Sequence, residues 1–295
     1  MEVKCFDSKD KNVSKYVFDF KDAVAEAVLY KYPTYKERTV ICCSTQSGCP
    51  VGCNFCGTGK RFVRNLTFKE ILNQVLSVLD NKGIKGEEVE RFQIMFMSMG
   101  EPMLNFRNVK IAIVMLHHFY PNAELLISTS APRRDYSGLF ELSREIEQVG
   151  LQFSIHENTD EARDKLIPFK KKLTLMEIRA LGEKWYGETG RKPYFNYCVH
   201  EGNNKVEDVE RLKDLFLTYV WEATLSVICE KDETIAQSHK RQEKMTMDFM
   251  ELMNKAGFST RMFNPAGQDD IGGGCGQLWH TQKWMKENIK VKGGN

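Results

Sequence analysis

A chain of 295 residues, 42% hydrophobic and 28% charged with 21 Gly and only 8 Pro, is long enough to bury a substantial core and is not composed like a disordered segment. A net charge of +2 excludes a polycation that condenses on nucleic acid without discrimination, so any such contact must come from local basic clusters. No apolar run approaches the roughly 20 residues that span a bilayer, and the N-terminal MEVKCFDSKDKN lacks the apolar core of a secretion signal. The expectation is a cytoplasmic monomer with no membrane partner.

In chain order, YVFDF and AVAEAVLY, separated by Lys21-Asp22, read as a small antiparallel hairpin within the first 38 residues. From about residue 39, β-rich apolar runs alternate with helical periodicity, which predicts strands near 39–44, 91–98, 123–129, 151–155, 193–200 and 223–229. Thr67 with Glu70 is a capping box, followed by a face of Ile71, Leu72, Val75, Leu76 and Leu79. Thr174 and Glu177 repeat that signal before Ile178 and Leu181. A helix near 240–256 ends at Gly257, and the short strand STRMFN follows. The pattern predicts an α/β architecture: an N-terminal hairpin extension over 1–38, a core of six βα units over 39–280, and a basic tail over 281–295. The core is either an open doubly wound sheet or an incomplete barrel, with its chemistry at the C-terminal ends of the strands.

The chain has nine cysteines, an odd count that fits a disulfide framework poorly. Five of them fall in CCSTQSGCPVGCNFCGTGK, residues 42–60. Cys49, Cys53 and Cys56 have C-x3-C-x2-C spacing in the loop after the first strand of the βα series. A closed structural zinc site wants four ligands, and no fourth Cys or His stands at a ligand-like spacing nearby. Thioredoxin-like chemistry needs only two thiols. Three thiolates on a four-iron cluster leave one iron open, which is useful where a substrate or cosubstrate binds it. Cys42 and Cys43 read as small strand hydrophobes. Cys275 lies among Gly272, Gly273, Gly274 and Gly276, which supply backbone freedom, and is a candidate nucleophile.

The C-x3-C-x2-C spacing, with Phe55 before its last cysteine, resembles the signature of radical S-adenosylmethionine (SAM) enzymes. FMSMGEPMLN, residues 96–105, is similar to the glycine-rich turn with an acidic residue that contacts SAM in those enzymes. From Glu26 to Trp279 the chain resembles the radical SAM RNA adenine methyltransferases of the RlmN and Cfr group. The likeness rests on TVICCSTQSGCPVGCNFCGTGK with NLTFKEILNQV, then MGEPMLN, STS at 128–130, FSIHEN at 153–158, RDKLIP at 163–168 and CGQL at 275–278, in that order.

The resemblance implies a partial (βα)6 radical SAM barrel with a [4Fe–4S] cluster on Cys49, Cys53 and Cys56, and SAM contacts from Gly100, Glu101, Ser128, Ser154, Ile155 and His156. It also implies a reason for the other two thiols. The target is an electrophilic aromatic carbon of adenine, to which direct transfer of a methyl cation is unfavourable. One SAM methylates Cys275, and a second gives a 5′-deoxyadenosyl radical that removes hydrogen from that methyl group. The resulting methylene radical adds to the base. Cys42 then resolves the protein–RNA crosslink through a transient disulfide, with Glu26 as proton acceptor.

The resemblance further implies ribosomal or transfer RNA as substrate, at carbon 2 or carbon 8, and an electron donor such as flavodoxin or ferredoxin. Two alternatives stay open for single residues: Glu26 as a solvent-facing hairpin carboxylate, and His156 as a satisfied polar residue at a strand end. A family asparagine near the sixth strand is not evident in LSVICEKDET, where Cys229 or Glu230 stands. The accessory helical domain common before the hairpin is expected to be absent. Lys60, Arg61, Arg64, Arg133, Arg134, Lys170, Lys171 and Lys172 are expected in loops on the catalytic side, as phosphate contacts. Other readings of the chain are a different radical SAM enzyme, such as a glycyl-radical activase, and a non-enzymatic metal-binding RNA module.

Overall fold

Alternating apolar residues form the strands of this chain, and 3.6-residue periodicity forms its helices. The computed structural model describes residues 1–58, 61–227 and 235–264 together with Ile271 and Lys283, with backbone alone for 235–239. It comprises two compact units, Met1–Ala123 with Ile271 and Lys283, and Glu124–Pro265.

The first unit opens with four strands paired antiparallel in succession: β1 (Glu2–Asp7), β2 (Val13–Asp19), β3 (Val24–Tyr32) and β4 (Thr34–Cys43). The expected hairpin is β2–β3. Its turn places Lys21 at φ 75°, with the Phe20 N–H donating to the Ala23 carbonyl at 2.9 Å and the Lys21 N–H to the Asp19 carboxylate at 2.8 Å. β1, which the sequence pattern missed, adds an outer strand whose side chains are nearly all exposed, so it carries no apolar alternation.

A two-stranded ribbon, β5 (Gln46–Gly48) with β6 (Phe62–Asn65), follows β4 and leads into α1 (Phe68–Lys82). β7 (Arg91–Phe96) runs parallel to β4, from Arg38 opposite Arg91 to Cys43 opposite Phe96, and α2 (Phe106–Phe119) comes after it. The Thr67–Glu70 capping box is formed in both directions, and Gly83 ends α1 at φ 61°. Leu76 is only half-buried; Val78 and Gln74 join Ile71, Val75 and Leu79 on the inner face.

The second unit is a parallel sheet. In chain order it holds β8 (Ala123–Thr129), α3 (Ser137–Glu145), β9 (Val149–Ser154), α4 (Asp160–Leu166), α5 (Leu175–Thr189), β10 (Tyr194–Val199), α6 (Val206–Leu215), β11 (Glu222–Val227), α7 (Ile235–Lys255) and β12 (Ser259–Phe263). Its strands pair in sequence order, as repeated βα units require. Its core is aromatic: Phe195 stacks on Phe216 at 4.8 Å, Trp221 lies 4.8 Å from Phe216 and 5.7 Å from Phe153, and Phe258 meets Phe195 edge-on at 5.7 Å. Thr174 and Glu177 form the second expected capping box at the start of α5. No described helix is long and apolar enough to cross a membrane.

Gly182 lies on the buried face of α5, where an added methyl group would overlap the six-membered ring of Trp221. Gly182→Ala is therefore expected to destabilise the protein by about 1–3 kcal/mol despite alanine's better helix propensity, read as a lower urea midpoint at unchanged slope.

Candidate active site

In the first unit the site grows from the C-terminal ends of β4 and β7. Cys42 and Cys43, the last residues of β4, are wholly buried, and burial pushes the Cys43 thiol up. Beyond β4 the backbone is closed partly by main-chain bonds, such as Thr45 N–H to the Met99 carbonyl at 2.8 Å, and partly by side chains. Gln74 of α1 accepts from the Ser44 N–H at 2.8 Å and donates to the Ser44 carbonyl at 3.0 Å. The hydroxyls of Ser44 and Ser98 donate to the Glu26 carbonyl at 2.6 and 2.8 Å. Asn105 donates to the carbonyls of Thr45 and Leu66 at 2.7 and 2.8 Å.

Gln46 clamps the turn after β7. Its amide oxygen accepts from the Glu101 N–H at 2.8 Å, and its nitrogen donates to Asn65 at 2.8 Å. Gly100 sits against it at φ 91°, where a Cβ would lie 2.5 Å from Gln46 Cβ, so only glycine fits. Glu101 is buried, and one of its oxygens accepts from the Met103 N–H at 3.0 Å.

Cys49, Cys53 and Cys56 are half-buried in the loop between β5 and β6. The Cys49 N–H donates to the Arg61 carbonyl at 2.9 Å, the Cys56 N–H to the Cys53 carbonyl at 3.1 Å, and Cys56 Sγ lies 3.0 Å from Thr58 Oγ1. Burial pushes the Cys49 thiol up. The Val51 N–H bond opposes this, while the nearby Glu101 carboxylate and the Cys56 and Cys53 thiols push the same way. Among the described residues, no group of three or more His, Cys, Asp or Glu side chains is gathered so as to hold a metal ion. An all-thiol set from one loop fits a cluster, in which each thiolate meets a different iron, and coordination removes the thiol proton outright. The buried Glu101 carboxylate beside that loop fits the amino group of SAM.

Glu26 is not solvent-facing. Its side chain is wholly buried and Lys15 Nζ lies 3.2 Å from its Oε2, which overturns the alternative of an exposed hairpin carboxylate.

In the second unit Ser128, Ser154, Ile155 and His156 lie at the C-terminal ends of β8 and β9. Ser128 Oγ is 3.4 Å from Ser154 Oγ and accepts from Gln152 at 3.0 Å. The backbone N–H groups of Ile155 and His156 both donate to the Asn196 carbonyl, at 3.1 and 3.0 Å. His156 has φ 60°, its carbonyl accepts from Asn203 at 3.1 Å, and its ring is buried. Burial, with the Arg163 charge, lowers its imidazole to about 3. The same sheet face carries polar groups that the sequence pattern did not single out. The Thr224 hydroxyl donates to Gln152 at 3.0 Å, and the Ser226 hydroxyl to Asn196 at 2.7 Å. Their signal was a polar residue at every second position of otherwise apolar strands, as in Gln152-x-Ser154 and Thr224-x-Ser226.

A protein of Thermus thermophilus named probable dual-specificity RNA methyltransferase RlmN is 34% identical to the chain over 283 residues, covering 94% of this chain and 76% of the relative. The chain belongs to the RlmN family. A second family member, the probable dual-specificity RNA methyltransferase RlmN of Heliobacterium modesticaldum, is 30% identical over 282 residues, 92% of this chain and 72% of its own. The ribosomal RNA large subunit methyltransferase N of Nitrosopumilus maritimus is 30% identical over 281 residues, 92% and 78% of the two chains. A crystal structure of a radical SAM methyltransferase from Sphaerobacter thermophilus superposes with a TM-score of 0.78 at 28% identity, covering 93% of this chain and 79% of that one. No family model matches the chain.

Of the residues that the family resemblance singles out, the first unit carries Glu26, Cys42, Cys49, Cys53, Cys56, Gly100 and Glu101, and the second carries Ser128, Ser154, Ile155 and His156. Cys275, Cys229, Glu230 and Lys60 lie outside the described residues, as does the basic tail apart from Lys283. Several of the expected phosphate contacts are held by carboxylates. Arg64 forks onto Glu70 at 2.8 and 2.9 Å and also bonds Asp22 at 2.8 Å. Arg133 forks onto Glu177 at 2.7 Å through both nitrogens, holding that carboxyl at about 2, and Lys172 pairs with Asp164.

The His156 shift sets a pH dependence. Native His156 takes up its proton only near pH 3, and the unfolded chain does so near 6.5, so between these values the unfolded state binds more protons. Stability is expected to fall as pH drops below about 6.5. In His156→Asn, which tolerates the positive φ, the slope of Tm against pH between 6.5 and 4.5 should be shallower.

Proposed function

We propose that this chain is a radical SAM RNA methyltransferase that methylates an adenine carbon, carbon 2 in preference to carbon 8, in ribosomal or transfer RNA. The observation that carries the reading is the all-thiol loop of Cys49, Cys53 and Cys56 with the buried Glu101 within its electrostatic reach, in a chain of the RlmN family.

Cys49, Cys53 and Cys56 would hold an iron–sulfur cluster, with Gly100, Glu101, Ser128, Ser154, Ile155 and His156 around SAM. Bound there, the two supply one-electron reduction and a hydrogen-abstracting radical, fed by a donor such as flavodoxin or ferredoxin. The rest falls to the chain's own groups. Cys275 accepts a methyl group on its sulfur from one SAM and presents it to the base while a second SAM is consumed. Glu26 accepts the proton that leaves the adenine carbon. The Cys42 thiolate attacks the Cys275 sulfur to form a transient disulfide as the sulfur–carbon bond breaks. That bond's electron pair stays on the former methylene carbon, which takes up a proton to become the methyl group, and the adduct's unpaired electron leaves to a one-electron acceptor such as the oxidised donor protein. Because Cys42 is buried at the end of β4, the Cys275 sulfur has to be brought to it. His156, neutral at working pH, offers a ring nitrogen as a hydrogen-bonding group and adds no charge beside a sulfonium.

RNA would be engaged through local basic groups. Exposed Arg134, Lys170 and Lys171 lie on two segments joined by the Pro132–Lys172 bridge, with the Arg133 N–H donating to the Lys171 carbonyl at 2.7 Å.

Anaerobic reconstitution is expected to give about four iron and four sulfide per chain, and the triple variant Cys49→Ala, Cys53→Ala, Cys56→Ala should lose both, as read by metal analysis. Incubation with total RNA and SAM should yield methylated adenosine at a discrete site, mapped by mass spectrometry. Protein from SAM-replete cells should carry an added methyl or methylene on Cys275. Methylation that survives Cys275→Ala would sink the cysteine route.

A further inference from the structure

We infer that Lys15 is a positioning residue that sets the Glu26 carboxylate for its proton transfer, an inference that rests on the methyltransferase reading above. Lys15 on β2 and Glu26 on β3 are both wholly buried, with Nζ 3.2 Å from Oε2. The register fixes where they sit. Lys15 is opposite Val28, Val28 is opposite Cys42, and Glu26 is two residues before Val28 on β3. Directly paired residues, and residues two apart on one strand, share a face of the sheet. Lys15, Glu26 and Cys42 therefore share one buried face, which joins the proton acceptor, its counter-charge and the thiol that resolves the adduct.

The fold alone does not call for this pair. The neighbours of Glu26 on that face of β3 are Val24, Val28 and Tyr30, all buried, and an apolar pair of similar volume would stabilise as well or better. The Glu26 backbone is pinned, since its carbonyl accepts from the hydroxyls of Ser44 and Ser98. Its carboxylate has the Lys15 charge 3.2 Å away, which favours the orientation that faces Lys15, and proton transfer requires such positioning. In the step concerned, the proton on the attacked adenine carbon passes to a Glu26 oxygen, and the C–H bonding pair stays with the base. Lys15 exchanges no proton; it aims the acceptor.

The test uses the reconstituted full chain as wild type, Lys15→Met, Lys15→Arg, Glu26→Gln and the Lys15→Met/Glu26→Gln double variant, with SAM, dithionite and total RNA. Four quantities are followed: methyl on Cys275, 5′-deoxyadenosine, methylated adenosine, and protein–RNA adduct that survives denaturing electrophoresis. Lys15→Met is expected to lower methylated adenosine by about tenfold or more while adduct accumulates and the two earlier readouts stay level. Lys15→Arg should restore most of the product, and adding Lys15→Met to Glu26→Gln should change nothing further. A fall of all four readouts together in Lys15→Met, or a further loss in the double variant, would overturn the inference. If Lys15→Met leaves Glu26 buried without its counter-charge and does not fold, the comparison of the double variant with Glu26→Gln decides. A wild-type enzyme that makes no methylated adenosine overturns the parent reading, and this inference with it.

Discussion

Two hydroxyls on one carbonyl hold the first unit's site together. β4 and β7 end at Cys43 and Phe96, and beyond those points only a few irregular backbone bonds join them, Ser98 N–H to the Cys43 carbonyl at 3.2 Å and Thr45 N–H to the Met99 carbonyl at 2.8 Å. Buried N–H and C=O groups must be satisfied by something else. Ser44 and Ser98 turn their hydroxyls to the carbonyl of Glu26, tying the departing ends of two parallel strands to an antiparallel one, near the start of β3. Gln74 and Asn105 close the amide and carbonyls that remain around Ser44, Thr45 and Leu66. From this knot depart the thiol loop in one direction and the Gly100–Glu101 turn in another. Gln46 then bonds the second back toward the first. The positions of the functional groups follow from backbone polar groups being satisfied at a strand end.

What was legible in the sequence was whatever local chemistry dictates. Both capping boxes announce themselves because the threonine and glutamate that close them are three residues apart. The parallel strands of the second unit are buried runs of ordinary length with at least one apolar face, and they appear within a few residues of their expected places. The thiol triad is readable because its members share one loop. β1 was not legible, since an exposed edge strand has no face to alternate. The Lys15–Glu26 pair was not legible either, because lysine in SKYVF reads as solvent-facing until the register of three strands is known. The polar face of β9 to β11 was hidden for the same reason: Asn196, Thr224 and Ser226 gain meaning only when they line up across strands.

That face sets the second unit apart from an ordinary parallel sheet, whose strands pack apolar side chains on both sides. Here one side is aromatic and dry, with Trp221, Phe195 and Phe153. The other carries hydroxyls and amides bonded in a chain from Ser128 through Gln152 to Thr224 and Arg261. Such a chain fixes each group by its neighbour and offers the remaining lone pairs and protons in set directions. His156 ends the same strand region in a left-handed conformation and resists taking a charge, so it adds none to those of Arg261 and Arg163.

The two capping-box glutamates have an additional consequence. Glu70 and Glu177 each accept the backbone N–H of their own threonine at 2.8 Å, and each grips an arginine, Arg64 or Arg133, in a two-toothed fork. The threonine bond needs no arginine, so a helix would remain capped if its arginine swung away to a phosphate. Each of these long side chains is held by two charge-assisted bonds beside the start of a helix, which restricts its rotational freedom in the folded protein. An arriving polyanion would exchange one fork for another, with little new ordering to pay for.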